Sequence, residues 1–285
     1  MISIIMQGKN DNYLENFIQR LTFCLSKHID NIKTLGLEKE VQIVLTDWGS
    51  DVKLIDVLDV DFSLIKYIYV TPEMAKAYNG EAKYSYVHAL NVSARHSDGE
   101  FILWGDSDGF LPLQSFKQIY LLIQEMKKLN INKFFWGSRY HIDRKDYKDF
   151  KKIKEIDNYL DNLMMTQSFS TLKHDQIDCS NFGGFGGLLL LTKSMYHDST
   201  GMWEKLVHWG WQDVEFHRRL LNKYEFGGDL ERIDANVYHL EHWENRGVDP
   251  FPFLVNEHFI DAPLFNINGE SWGLGNEKLE IVYRN

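Results

Sequence analysis

The residues best suited to chemistry fall in three short runs. Asp106-Ser107-Asp108 follows an apolar stretch, residues 101–104. Two carboxylates separated by one residue in a turn can converge on one hard divalent cation while the side chain between them points away. A cation held so can bridge a diphosphate and offset the charge that develops on it. An acidic turn that merely ends a strand would carry the same letters. His239-Leu240-Glu241-His242 sets two imidazoles three positions apart; imidazole suits Mn²⁺-like or Zn²⁺ ions, so either ring could complete a site begun by the carboxylates or simply be hydrogen-bonded at the surface. The carboxylate-rich surroundings argue against a structural zinc site. The third run is Trp209-Gly210-Trp211-Gln212-Asp213-Val214-Glu215. A carboxylate at a helix start beside two indoles offers a base for a hydroxyl proton and flat platforms for sugar faces. The alternative is a carboxylate placed for the helix dipole and two tryptophans placed for the core. Asp213 is the first candidate base and Glu215 the second.

The positioning of these runs depends on alternating elements. Residues 2–6 read as a buried strand, and Asp11 or Asn12 could cap a helix running through Leu14, Phe17, Ile18, Leu21 and Leu25. A strand over 41–45 runs into Asp47-Trp48-Gly49-Ser50-Asp51, at the end of a strand where open α/β sheets bind ligands. A strand over 66–70, a helix over 84–95 and a strand over 101–104 follow, the last feeding the Asp106 turn. Beyond Pro112 the pattern predicts a helix to about residue 129, a strand over 133–136 and a charged helix over 147–165. Gly183 to Gly187 precede an apolar strand over 188–191, and a helix closes the segment 203–224. From Pro250 no period is evident, which suits a segment that wraps the core or forms a lid. The alternation predicts a mainly parallel sheet.

Bulk properties narrow the classes. With 285 residues, 44% of them hydrophobic, the sequence is long enough to bury one large α/β core, and no linker-joined modules are expected. Its 31 basic and 41 acidic residues give a charge of -10, which repels a polyanion and excludes a broad nucleic-acid surface while allowing a small nucleotide held through a metal. Cys24 and Cys179 are too few for a disulfide framework and are expected to be reduced. No basic leader precedes the first apolar run, and no apolar run approaches about 18 residues. The expectation is a cytoplasmic protein without a transmembrane segment, with peripheral contact at the inner face of a membrane left open. Eight tryptophans within 14% aromatic residues suit ring-lined binding surfaces or core alike.

In order and spacing the runs resemble the GT-A glycosyltransferases, particularly glycosyltransferase family 2 and the related galactosyltransferase and chondroitin-polymerase type domains. Asp47-Trp48-Gly49-Ser50 stands where the family has its nucleobase-binding D-D-G-S turn, with Trp48 at the second acidic position. Ala89-Leu90-Asn91 matches the A-x-N element, and Gly99-Glu100-Phe101-Ile102 with Asp106-Ser107-Asp108 matches the G-E-F/Y-I run and its D-x-D. Trp209 to Asp213 matches the W-G-W/G-x-E-D segment, with Gln212 replacing a glutamate that relatives turn toward the acceptor. Residues 182–187 resemble the acceptor-side loop, and Tyr238 to His242 the segment with the metal-binding histidine.

That resemblance implies an α/β fold of GT-A type, Rossmann-like, with a mainly parallel central sheet flanked by helices and an acceptor-side C-terminal half. It implies one domain over 1–285, divided into a nucleotide-sugar-binding half (1–110), an acceptor and catalytic half (111–250) and a C-terminal wrap or lid (251–285). It implies a UDP-sugar donor met by Asp47, Asn91, Asp106 and Ser107. Mn²⁺ or Mg²⁺ would sit on Asp106, Asp108, His239 and His242, with His242 at the family's ligand position. Asp213 would be the base, and Trp209, Trp211, Gln212 and Gly184 would face a saccharide or glycoconjugate acceptor. The implied activity is hexosyl or N-acetylhexosaminyl transfer to a hydroxyl, with inversion, in surface polysaccharide or glycoconjugate synthesis. A retaining GT-A transferase and a non-catalytic nucleotide-sugar-binding protein are the alternatives. A nucleotidyltransferase would need a basic glycine-rich phosphate loop, and Gln7-Gly8-Lys9-Asn10 is too slight to supply it.

Overall fold

The computed structural model describes residues 1–11, 13, 16–137, 139–142, 174–175, 188–240, 256, 264 and 267–283. Its centre is β1 (Ile2–Gly8), buried at every position. Strand β2 (Val41–Trp48) pairs with it in parallel on one side and β4 (Phe101–Gly105) in parallel on the other. β3 (Ile65–Val70) extends the sheet beyond β2 in parallel. Beyond β4 lie β9 (Leu188–Thr192), β6 (Lys133–Gly137) and β10 (Glu225–Asp229), of which β9 runs antiparallel to β4 and β6. β12 (Glu280–Tyr283) closes the other edge, antiparallel to β3, making eight strands. A smaller four-stranded sheet has the order β5 (Gly109–Phe110), β11 (Val237–Leu240), β7 (Arg139–Ile142), β8 (His174–Asp175).

Side-chain alternation along the strands feeds two cores, as a sheet covered on both faces requires. Ile2, Ile4, Met6, Ile43 and Leu45 pack with α1 (Phe17–Thr34) and α5 (Leu113–Leu129). Ile5, Val44 and Ile68 pack on the other face with α4 (Tyr86–Arg95), α6 (Lys193–Asp198) and α7 (Gln212–Lys223). The backbone leaves β1 for β2 on one side and later returns to β4 on the other. The carboxyl ends of these strands therefore open on a crevice, the usual ligand position of such sheets. Gly99, in the matched G-E-F-I run, lies so close to β1 that a Cβ would come 2.5 Å from the Ser3 hydroxyl oxygen; a side chain there would push β4 off the central strand.

The expected mainly parallel sheet is present, and α5 follows Pro112 as its sequence predicts. Three expectations are corrected. Helix α1 begins at Phe17, not near residue 12, behind Asn16 in a left-handed conformation without a side-chain cap. A helix that hydrophobic periodicity missed, α3 (Pro72–Asn79), starts at Thr71, whose hydroxyl accepts from Met74 N, with Pro72 in the first turn. The aperiodic C-terminal segment contains an edge strand, β12. Leu14, the helix expected over 147–165 and the glycine run 183–187 lie outside the described residues.

Two buried polar clamps fix the elements that carry the site. Asn91 is fully buried on α4; its amide nitrogen donates to Met202 O and Glu204 Oε1, and its oxygen accepts from Tyr196 Oη and Met202 N. Both donor and both acceptor positions are filled, so the donor-binding role implied for Asn91 is corrected: it ties residues 202–204 to the sheet. On α7, Arg219 grips both oxygens of Glu215 at 2.6 and 2.9 Å and donates to Ser199 O and Gly201 O. Glu215 is fully buried in this pair and is unavailable as a base. The Glu215→Ala substitution strands a buried guanidinium and is expected to cost about 3–5 kcal/mol of stability, read as a fall in the midpoint of chemical denaturation.

Candidate active site at the carboxyl ends of the sheet

The Asp106 turn leaves β4 beside the end of β1 and is pinned there by Ser107. The Ser107 hydroxyl donates to Gln7 O and accepts from Gln7 N at 3.3 Å. Ser107 thus points away from the crevice, as the motif reading required, and holds the backbone rather than a donor. The two acids diverge around it. Asp106 is ion-paired with Arg139 at the start of β7. Asp108 lies between Arg20 Nε of α1, 3.5 Å from Oδ2, and His239 Nε2, 3.1 Å from Oδ1.

His239 reaches Asp108 because β11 pairs with β5, setting His239 opposite Gly109, and because Leu240 N donates to Asp108 O at 2.9 Å. Burial lowers the pKa of His239, and the Asp108 charge opposes that shift. The 3.1 Å between Oδ1 and Nε2 is a hydrogen-bond distance. It is also close to the edge of an octahedron with bonds of about 2.1 Å, so the pair has the spacing and the O/N donor chemistry of a Mg²⁺- or Mn²⁺-like site. Among the described residues no group of three His, Cys, Asp or Glu side chains could hold a metal. His242 lies outside the described residues.

Asp213 stands in the first turn of α7. The turn before it is unusual: Gly210 and Trp211 both have positive φ, 83° and 69°, and a bulky residue held there marks a strained position of the kind concentrated at functional sites. The turn leaves Trp209 51% and Trp211 36% exposed, so neither indole belongs to the core. Asn256 fastens the loop. Its side chain accepts from His208 N at 3.0 Å and donates to His208 O and Gly210 O at 2.7 Å each, while its backbone N donates to Trp209 O. Gln212 also serves the loop: it is 9% exposed and donates to His208 O, which corrects its implied acceptor contact. Gly184 lies outside the described residues.

Asp213 shares an electrostatic environment with the Asp106 turn. Burial raises its pKa; the nearby Asp106 charge acts in the same direction, while Arg139 and the bond from Val214 N at 2.8 Å oppose it. A carboxyl with a raised pKa accepts a proton more readily at neutral pH. Between these acids lie residues that no motif announced: Trp104, at the end of β4, and Tyr86, at the start of α4, joined by a bond from Trp104 Nε1 to Tyr86 Oη at 2.6 Å.

Asp47 departs from its implied role. It is fully buried; Oδ1 accepts from Ser50 Oγ, and Oδ2 accepts from Tyr67 Oη at 2.5 Å and, at 2.7 Å, from Leu54 N at the start of the short helix α2 (Leu54–Val57). The carboxylate closes the loop after β2 and presents no surface to a nucleobase. Trp48 is likewise buried, bonded to Asn79 and stacked on His88. A shallow hollow between Glu100, Lys127, Lys193 and Asp198 lies at the opposite end of the sheet and includes none of the site residues.

Comparison with known proteins bears on the fold and the family resemblance. The family model described as the N-terminal domain of galactosyltransferase matches residues 167–244, which include Trp209 to Asp213 and His239. Among curated proteins none matches. Among solved structures, Staphylococcus aureus TarS residues 1–349 in complex with UDP superposes with a TM-score of 0.51 at 15% identity, over 84% of this chain and 60% of that one. A second structure of TarS from the same organism gives a TM-score of 0.44 at 15% identity, over 75% of this chain and 32% of that one. The chain thus spans at most 60% of the length of these structures. The fold is that of the GT-A glycosyltransferases, and the family match supports the resemblance read from the sequence.

The raised pKa of Asp213 gives a signed expectation. The fold disfavours the ionised carboxylate relative to the unfolded protein. Above the folded-state pKa this costs stability; below the unfolded-state pKa the cost is absent. Asp213→Asn should therefore melt higher than the wild type at pH 7, with the difference shrinking as pH falls toward the ordinary carboxylate range. Melting curves of both proteins across that range test this.

Proposed function

We propose that the protein is a glycosyltransferase that moves a sugar from a UDP-sugar to a hydroxyl of a saccharide or glycoconjugate acceptor, with inversion at the anomeric carbon. The observation that carries the reading is the pairing of Asp108 with His239 at the turn after β4, with Asp213 near enough to Asp106 for the two charges to interact. The GT-A fold and the family match support the reaction class. The UDP in the TarS complex supports the choice of nucleotide.

In this reading the diphosphate end of the donor lies over the Asp106 turn, where Asp106, Asp108 and His239 would hold Mn²⁺ or Mg²⁺. That ion, when bound, supplies charge to the departing diphosphate. Arg139, beside Asp106, places a second positive charge at the crevice. Trp209 and Trp211 offer exposed indole faces to the acceptor sugar. Asp213 takes the proton of the acceptor hydroxyl as its oxygen bonds to the anomeric carbon. The bond from that carbon to the phosphate oxygen breaks, and the electron pair leaves with UDP. One carboxylate on the acceptor side suffices, because inversion needs no covalent intermediate.

Two measurements test the assignment. Asp213→Asn should lower sugar transfer by about 10² to 10⁴-fold, since an amide cannot take the proton, while UDP affinity stays at the wild-type value. Transfer at the wild-type rate would remove Asp213 from the chemistry. Asp106→Asn and Asp108→Asn should each diminish the rise in melting temperature that UDP with Mn²⁺ gives the wild type, a shift that follows binding by mass action. An undiminished shift in both would place the ion elsewhere.

A further inference from the structure

Tyr86 begins α4 at the mouth of the crevice, half-buried, and its partner is Trp104, two residues before Asp106. An indole N–H can only donate, so the phenol oxygen is the acceptor of the 2.6 Å bond from Trp104 Nε1. The phenol's own proton must then point elsewhere, and it finds no acceptor among the described residues. Trp104 is buried and its ring lies 6.2 Å from that of Tyr86, so the hydroxyl is fixed in place and its donor is aimed. The phenol also feels two carboxylates from different elements, first Asp106 and then Asp213. Burial and these two charges push its pKa well above the ordinary range, which keeps the donor proton on the oxygen at neutral pH.

We propose that Tyr86 is a donor-sugar contact: its hydroxyl, oriented by Trp104, donates a hydrogen bond to a hydroxyl or N-acetyl oxygen of the sugar being transferred. This rests on the transferase reading above, in which Asp106 marks the diphosphate side and Asp213 the acceptor side. The group that joins those sides is the transferred sugar, and a donor near enough to feel both carboxylate charges, yet bonded to neither, lies beside it. A bond made to the sugar and not to the nucleoside has a particular consequence. It should contribute to the capture and turnover of UDP-sugars and not to the binding of UDP alone.

The test compares wild type, Tyr86→Phe, Trp104→Phe and the double variant, using UDP and four donors: UDP-glucose, UDP-galactose, UDP-N-acetylglucosamine and UDP-N-acetylgalactosamine. Equilibrium binding of UDP and the rate of UDP release from each donor are measured with Mn²⁺. Tyr86→Phe should leave UDP affinity within about twofold and lower kcat/KM for the preferred donor by about tenfold or more, the size of one lost substrate hydrogen bond. Because Tyr86→Phe also leaves the buried Trp104 N–H without its acceptor, the double variant separates the two effects. It should retain the full loss in kcat/KM. Recovery in the double variant, an equal loss of UDP affinity, or a Tyr86→Phe protein that matches an active wild type would each overturn the assignment of Tyr86 alone. A wild type that releases UDP from none of the four donors would overturn the transferase reading and the assignment with it.

Discussion

The site depends on the attachment of the Asp106 turn to the central strand through Ser107. Its hydroxyl bonds to both polar groups of Gln7, so the turn cannot rotate without leaving a buried N–H and C=O of β1 unpaired, a cost on the order of 1–3 kcal/mol for each group. With Ser107 held inward, Asp106 and Asp108 project to either side of it. From there Asp108 meets α1 and β11, and Asp106 meets β7. Elements that are remote in sequence, carrying Arg20, His239 and Arg139, are positioned by reference to one serine. Ser107 therefore sets the geometry of the turn through the backbone of β1.

The charges around that turn are nearly balanced in the protein alone. Asp106 and Asp108 are compensated by Arg139 and Arg20, while Asp213 is left to burial, with Arg139 as its counter-charge. A protein of net charge -10 could not gather three carboxylates at the end of a sheet without such compensation, because like charges at short range in a low dielectric repel strongly. A divalent cation and a dianionic diphosphate add no net charge when they bind together. The compensation already present then needs only local rearrangement, centred on Arg139.

The order of motifs made the fold legible. Alternating apolar runs fixed the central strands, and Pro112 fixed the start of α5. The edge strand β12 was hidden because its partner, not its own pattern, makes it a strand. The sequence singled out Asp106, Asp108 and Asp213 as candidates, and the structure sets Asp106 and Asp213 within range of each other's charge. Site residues were misleading where a motif position is polar for the sake of the fold. Asp47 and Asn91 both fall on family positions, yet each has its hydrogen-bonding atoms turned to backbone and neighbouring side chains. Nothing in the letters distinguishes a carboxylate that faces a ligand from one that closes a loop. The reverse failure is Tyr86 with Trp104: two aromatic residues that no motif singled out, joined by one hydrogen bond across 18 positions.

The acceptor side is built differently from the donor side, and the difference follows from what each must do. Donor-side groups hang from strands β1 and β4, buried between two cores, and hold their geometry by packing. The Trp209 loop has no such support, and its indoles are 51% and 36% exposed. Its shape comes instead from polar staples: Asn256 on His208 and Gly210, Gln212 on His208, and the buried Glu215–Arg219 pair that anchors α7 behind it. Asn256 belongs to the stretch of sequence that follows the last strand of the second sheet, as does Asn268, which bonds Thr200, Met202 and Glu204. Asn256 and Asn268 thus tie their part of the C-terminal segment to residues 200–210. Staples of this kind fix the backbone of the loop that carries both indoles, and they do so through hydrogen bonds to its carbonyls at His208 and Gly210, where β1 and β4 are held by packing.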